Sequence, residues 1–284
     1  MKHHILLPTD FSANSIKAIH YARELYKNNR CNFYILNVFS ATSNILDSLL
    51  NIEPGSKLYE TAKSDSENGL AKVYDYINMS DQDNPKHHFE VISIFNNVID
   101  AITQVVEQKD IEMIVMGTKG ETQSKIKAFG STARYVMEKV RNCPVIVVPK
   151  NAKTELPKEI VFPTSYKTHY KRRELNNLTS IAKKCDATVI VLHVCEEKAL
   201  DDAQKENKHL LESILEGINY KFHELSHHSV ITAVNLFVES RSSDMVAFIN
   251  KKHTFLESMF TNTMVKDISF HSKVPILTMH DLRN

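Results

Sequence analysis

GTKGETQSKIKAFGSTARYV, residues 117–136, holds Gly117, Gly120 and Gly130-Ser131, spaced as glycine, two residues, glycine, nine residues, glycine-serine. The whole chain has six glycines, so three in so short a stretch need a cause. The apolar run Met113-Ile114-Val115-Met116 leads into the first of them and reads as a buried strand. A helical pattern of Ala133, Val136, Met137 and Val140 follows the last, with Ser131 in capping position. A strand, a glycine loop and a capped helix N-terminus together form a phosphate cradle. Glycine lets the backbone approach, free N–H groups point at the anion, and the helix dipole adds partial positive charge. Turn chemistry alone accounts for Gly117 or Gly120 singly, but less readily for a third glycine joined to a cap. Ser131 and Thr132 can offer hydroxyl and main-chain N–H groups to a phosphate while still capping the helix. Lys119, Lys125 and Lys127 read as solvated loop cations.

Outward from this stretch, the first half alternates strands and helices. Strands are expected near 3–9, 31–38, 89–95, 112–117 and 144–148. Ser12 is placed to cap a helix carrying Ile16, Ile19, Ala22, Leu25 and Tyr26. Helical periodicity also runs from Asn97 to Gln108 and from Ser131 to Arg141, and 43–80 reads as mostly helical with a break at Pro54-Gly55. Such alternation predicts an α/β fold, a parallel sheet covered on both faces. Asp10 stands where the first strand's carboxyl end meets a helix start, the place where ligands bind in open α/β sheets. A helix-start acid favoured by the dipole would occupy the same position.

The chain then repeats itself in degenerate form. Ile5–Asp10 corresponds to Ile160–Ser165 at an offset of 155 residues, and Tyr34–Val38 to Ile190–Val194 at 156. Val98-Ile99, Glu107 and Met113 fall on Val230-Ile231, Glu239 and Met245 at 132, and Pro144-Val145-Ile146 on Pro275-Ile276-Leu277 at 131. Two tandem domains are expected, 1–150 and 151–284, with 149–158 as linker. The second copy has lost the phosphate chemistry. Ser165 replaces Asp10, Ile249 and Lys252 stand at the first two glycines, and Thr261-Asn262 replaces Gly130-Ser131.

The glycine spacing, taken with Pro8-Thr9-Asp10-Phe11-Ser12 and the terminal Cys143-Pro144-Val145-Ile146-Val147-Val148, closely resembles the universal stress protein family. The ATP-binding branch of that family carries G-x2-G-x9-G-[ST], and the resemblance covers the first half almost end to end. It implies two tandem doubly wound, Rossmann-like parallel-sheet domains forming an intramolecular pseudo-dimer. It also implies ATP lying across the strand carboxyl ends of the first domain. Pro8, Thr9 and Asp10 would flank the nucleotide, and Val38 would lend main-chain groups to adenine. Gly117, Gly120, Gly130, Ser131 and Thr132 would surround the phosphates, which could carry a Mg²⁺ ion. In that family the terminal strands exchange between subunits; here Val145–Val148 and Ile276–Thr278 would satisfy each other within one chain.

Composition narrows the function further. Thirty-five Lys+Arg against 34 Asp+Glu leave a formal net charge of +1, balanced in each half, without the basic footprint of a nucleic-acid binder. No run approaches a membrane span and the N-terminus has no signal-like apolar region, so a cytoplasmic protein is expected. Cys31, Cys143, Cys185 and Cys195 lack CxxC or framework spacing and read as reduced thiols. Adjacent histidines (His3-His4, His87-His88, His227-His228) point to opposite faces of a strand, and no HExxH or Cys/His cluster occurs, so no metal site is assigned. Absence of GxxxxGK[ST] and of an early GxGxxG argues against P-loop NTPases and Rossmann dehydrogenases. The expectation is an ATP-binding regulatory stress-response protein with one nucleotide in its first domain. It is more a binding protein than an enzyme, since no general base is evident beside the loop. A slow ATPase or autophosphorylating enzyme, and a scaffold with relic glycines, are the alternatives. The partners expected are the nucleotide, a protein the sequence does not identify, and a second copy of the tandem chain.

Overall fold

A computed structural model describes residues 2–40, 54–80, 84–118, 131–195, 199–227, 229–250 and 273–280. The chain divides into two compact units, the first ending at Cys143 and the second running on from Pro144.

In the first unit β1 (Lys2–Pro8), α1 (Ala13–Leu25), β2 (Arg30–Phe39), α2 (Lys57–Ser80), β3 (His87–Phe95), α3 (Val98–Gln108), β4 (Met113–Gly117) and α4 (Ser131–Lys139) follow in order. The strands are parallel and ordered β3-β2-β1-β4. Helices α1 and α2 pack on these strands, and α3 packs against α4. Strands covered on both faces need apolar residues on both sides, which is why Ile5-Leu6-Leu7 and Ile114-Val115 are consecutive and fully buried. At the edge, β3 has no fully buried residue and exposes His88 and Val91. The chain moves from β1 to β2 to β3 in one direction, then α3 carries it back to the far side of β1. The strand order therefore reverses between β1 and β4.

Local chemistry sets the helix starts. Ser12 Oγ accepts from Ser15 N–H at 3.2 Å to open α1, and Asn97 Oδ1 accepts from Ile99 N–H at 2.9 Å to open α3. Both side chains satisfy a donor that the first helical turn leaves unpaired.

The second unit holds β5 (Val145–Val148), β6 (Glu159–Thr164), α5 (Arg172–Cys185), β7 (Thr188–Cys195), α6 (Asp202–Leu215), β8 (Tyr220–Ser226), α7 (Val230–Arg241), β9 (Met245–Asn250) and β10 (Ile276–His280). Its strand order is β5-β10-β9-β6-β7-β8. All these pairs are parallel except β5 with β10, where Val147 faces Ile276 and Val145 faces Thr278. The aligned residues open equivalent elements: Val98 and Val230 start helices, and Met113 and Met245 start strands. β5 reads in sequence as the last strand of a 1–150 domain, yet it groups with the second unit through this antiparallel pairing. Val145, Ile146, Val147 and Val148 are all fully buried. α/β architecture, mostly parallel sheets and repeated doubly wound units agree with the expected fold class.

Candidate functional site

The crevice between the carboxyl ends of β1 and β4 is the topological switch point of the first unit, the position that open α/β sheets use for ligands. Register between β1 and β4 stops at Leu6 opposite Ile114. Two residues on, Pro8 has no N–H to offer, so the ladder ends without leaving a donor unpaired. The β1–α1 turn forms one side of this crevice. The end of β4 and the start of α4 form the other.

The turn is tightly braced. Thr9 is buried, and its N–H donates to Leu36 C=O at 2.8 Å. Its Oγ1 accepts from Phe11 N–H at 3.0 Å and lies 2.9 Å from Ser15 Oγ. Its carbonyl accepts from Asn37 Nδ2 at 2.8 Å. Thr9 is thus wholly engaged in building the turn. Asp10 is exposed, and Oδ1 accepts from Ser12 N–H at 3.1 Å and from Ser12 Oγ at 2.6 Å. That local ring fixes the carboxylate at the mouth of the crevice through Oδ1, and Oδ2 has no hydrogen-bond partner among the described residues. Phe11 follows at φ 66, the left-handed region that a bulky side chain seldom adopts.

Val38 completes this side. Along a strand the main-chain groups alternate between the two neighbours. Leu36 C=O faces β1, whereas Phe39 C=O accepts from Asn96 N–H at 3.3 Å on the β3 side. Val38 therefore turns its N–H and C=O towards β1, beyond the point where β1 has ended opposite Leu36.

Gly117 closes β4 against helix α1. A Cβ there would lie 2.7 Å from Asn14 Nδ2 and 3.0 Å from Asn14 O, so the glycine admits the first turn of α1. Asn14 Nδ2 also donates to the buried Thr118 Oγ1 at 3.2 Å, tying the two sides of the crevice together. Ser131 and Thr132 are the first residues of α4, with Thr132 exposed. Gly120 and Gly130 lie outside the described residues, as do Lys119, Lys125, Lys127, Lys252, Thr261 and Asn262. Asn14 and Asn37 escape a reading based on motif, and Phe11 stands in the strand-end stretch with no role assigned to it. The one signal for two of them is the repeat itself, which aligns Phe11 with Tyr166 and Asn37 with His193.

The second unit keeps the turn and changes its mouth. Tyr166 N–H donates to Thr164 Oγ1 at 3.1 Å with Tyr166 at φ 56, and His193 Nδ1 lies 2.9 Å from Thr164 O. These contacts reproduce those of Phe11, Thr9 and Asn37. At Asp10's counterpart, Ser165, the main-chain carbonyl accepts from Gln204 Nε2 at 2.8 Å, and Asn207 Nδ2 donates to Tyr166 O at 2.8 Å. Side chains of α6 therefore close over this loop. The 155-residue offset puts Ala13 opposite Thr168, yet α5 starts at Arg172. The helix begins about a turn later, and Ile249 stands at the position of Gly117. Tyr170 fills the added turn and bonds Thr164 Oγ1; burial pushes its phenol up to about 12.

Among the described residues no three His, Cys, Asp or Glu side chains gather as a metal-binding set. None of the described helices is long and apolar enough to cross a membrane. All four cysteines are free thiols, Cys31 and Cys143 buried.

The universal stress protein family model matches residues 1–149. A universal stress protein of Methanocaldococcus jannaschii is 28% identical over 149 residues, covering 52% of this chain and 83% of that protein. The crystal structure of a universal stress protein from Archaeoglobus fulgidus superposes with a TM-score of 0.72 at 21% identity, covering 97% of each chain. A Pseudomonas aeruginosa protein of unknown function gives 0.58 at 10% identity, over 98% of this chain and 92% of that one. At these identities the two structures speak to fold alone.

Proposed function

The chain belongs to the universal stress protein family, and from that premise we propose that it is a tandem, regulatory member whose first unit binds one ATP. The observation that carries this reading is the crevice between β1 and β4. It is flanked by a fixed carboxylate at Asp10, by uncovered main-chain groups at Val38, and by the N-terminus of α4. These are three different chemistries, one suited to each part of a nucleotide. Asp10 suits ribose hydroxyls, because a carboxylate only accepts and both hydroxyls donate. Val38 N–H and C=O suit the paired acceptor and donor on the edge of adenine.

The motif GTKGETQSKIKAFGST supports phosphate binding ahead of α4. Main-chain N–H groups of Gly130, Ser131 and Thr132 would donate to the phosphates, with the α4 dipole adding to the attraction. Gly120 and Gly130 would let the loop close on them. Gly117 contributes by seating α1, and Pro8 and Thr9 by ending β1 and bracing the turn. A Mg²⁺ ion would travel with the phosphates, Asp10 being the carboxylate at the crevice mouth. In the second unit Ser165 offers no carboxylate and α6 bonds the loop carbonyls, which supports a single site per chain.

The direct test is to purify the protein gently, denature it, and identify the released small molecules by chromatography and mass spectrometry. ATP or ADP at about one per chain, or uptake of added ATP by nucleotide-free protein, is the expected result. Protein that carries no nucleotide and takes up none would overturn the reading.

A further inference from the structure

The ring of Phe11 rests directly on the backbone of α2 at Gly69. A Cβ added at Gly69 would lie 2.8 Å from Phe11 Cε1 and closer still to Cε2 and Cζ. Glycine in the middle of a 24-residue helix is unfavourable for the helix itself, so the position needs another reason. Phe11 supplies one. It holds φ 66, which disfavours any residue with a Cβ, and it sits directly after Asp10. Two contacts hold it there, the Thr9 Oγ1 bond and the seat on Gly69, and Ser15 Oγ braces Thr9 in turn. Beside the ring lies a groove of about 500 Å³ lined by Ile16, Asp65, Lys72, Val73 and Tyr76, with room for the ring if the seat is lost.

The second unit provides an internal comparison. Tyr166 keeps the same left-handed conformation, but its ring lies on His193, with centroids 4.8 Å apart, and Asn207 of α6 bonds its carbonyl. There the turn leans on long side chains. The ring-on-glycine seat belongs to the unit that has the aspartate.

We infer that Gly69, on α2 and distant in sequence from every motif residue, is a positioning residue for the nucleotide site. It seats Phe11, and Phe11 in turn holds the Asp10 carboxylate at the crevice. This rests on the ATP reading above. A side chain at 69 drives the ring towards the groove, releases Phe11 from the left-handed region, and turns Asp10 away. ATP binding must then re-impose the strained turn.

Titration of ATP into the full chain and its variants tests this. Gly69→Ala is expected to weaken affinity about tenfold, the equivalent of one strained left-handed residue. Alanine improves α2 as a helix, so the loss comes without a lower melting temperature from the helix itself. Adding Phe11→Gly to Gly69→Ala recovers part of the lost affinity, because glycine removes the clashing ring and keeps positive φ accessible. In a background with Gly69 intact, Phe11→Ala weakens binding about tenfold and Phe11→Gly weakens it less, although both lose the same ring, because glycine keeps positive φ accessible. Wild-type affinity in Gly69→Ala, or no rescue by Phe11→Gly, overturns the inference. Should the wild type bind no ATP, the ATP reading fails by itself. The coupling is then decided by a crystal structure of Gly69→Ala: Phe11 out of the left-handed region supports it, and an unchanged turn overturns it.

Discussion

Asp10 and Gly117 belong to the same crevice for different physical reasons, and substitutions separate them. Asp10 is exposed and spends one oxygen on Ser12, so Asp10→Ala leaves the core intact. Removing a charged hydrogen-bonding group from a ligand is worth about 1.5–3 kcal/mol, so ATP affinity should fall about tenfold to a hundredfold in titration calorimetry. Gly117→Ala places a carbon 2.7 Å from Asn14 Nδ2. Overpacking of that kind costs about 1–3 kcal/mol, and thermal melts without nucleotide should show it. Asp10 and Gly117 were legible because residue type and strand-end position together announce them. The roles of Phe11, Asn14 and Asn37 were not, because an amide in a helix or strand, or a phenyl in a turn, looks like any other. Their roles come from a backbone angle and from neighbours remote in sequence. The phosphate reading of Gly117 also needed the structure to show that its missing Cβ makes room for α1.

Elements were legible wherever one period dominated. Ile5-Leu6-Leu7 of β1 and Met113–Met116 of β4, buried on both faces, read as unbroken apolar runs, and α1 and α3 carried caps at Ser12 and Asn97. The start of α5 was not legible, since no side chain caps it and the repeat offset predicts an earlier helix. The partner of β5 could be expected from the family resemblance only. At the start of β6 one ion pair joins elements far apart in sequence. Glu159 accepts from Arg241 Nε at 3.0 Å and Nη2 at 2.5 Å, and from Ser243 Oγ at 2.6 Å. Partial burial pushes the Glu159 carboxyl up, but the Arg241 and Ser243 hydrogen bonds outweigh it and hold it below the usual range. A carboxyl lowered in the folded state contributes stability that is complete above its unfolded value of about 4.3. That contribution is lost as pH falls through the lowered folded value. Glu159→Gln should therefore reduce stability near neutral pH and flatten the acid limb of a denaturation profile. An acid limb identical to wild type would remove Glu159 from the account.

At the scale of the whole molecule, the repeat makes two claims. The first concerns β5, of whose four buried residues three, Val145, Ile146 and Val147, pair with β10. Residues 1–150 expressed alone lack β10 and expose an apolar strand edge, so they should dimerise or aggregate in light scattering. A stable soluble monomer of that fragment would count against the pairing. The second concerns division of labour. One unit keeps Asp10, an open turn and the glycine motif; the other has Ser165, a loop closed by Gln204 and Asn207, and Ile249 at the first glycine. Titration calorimetry of ATP into the full chain, beside Gly130→Val and Asn262→Ala, tests this most directly. The account predicts one site per chain, abolished by Gly130→Val and untouched by Asn262→Ala. Two sites per chain, or full binding by Gly130→Val, would contradict it.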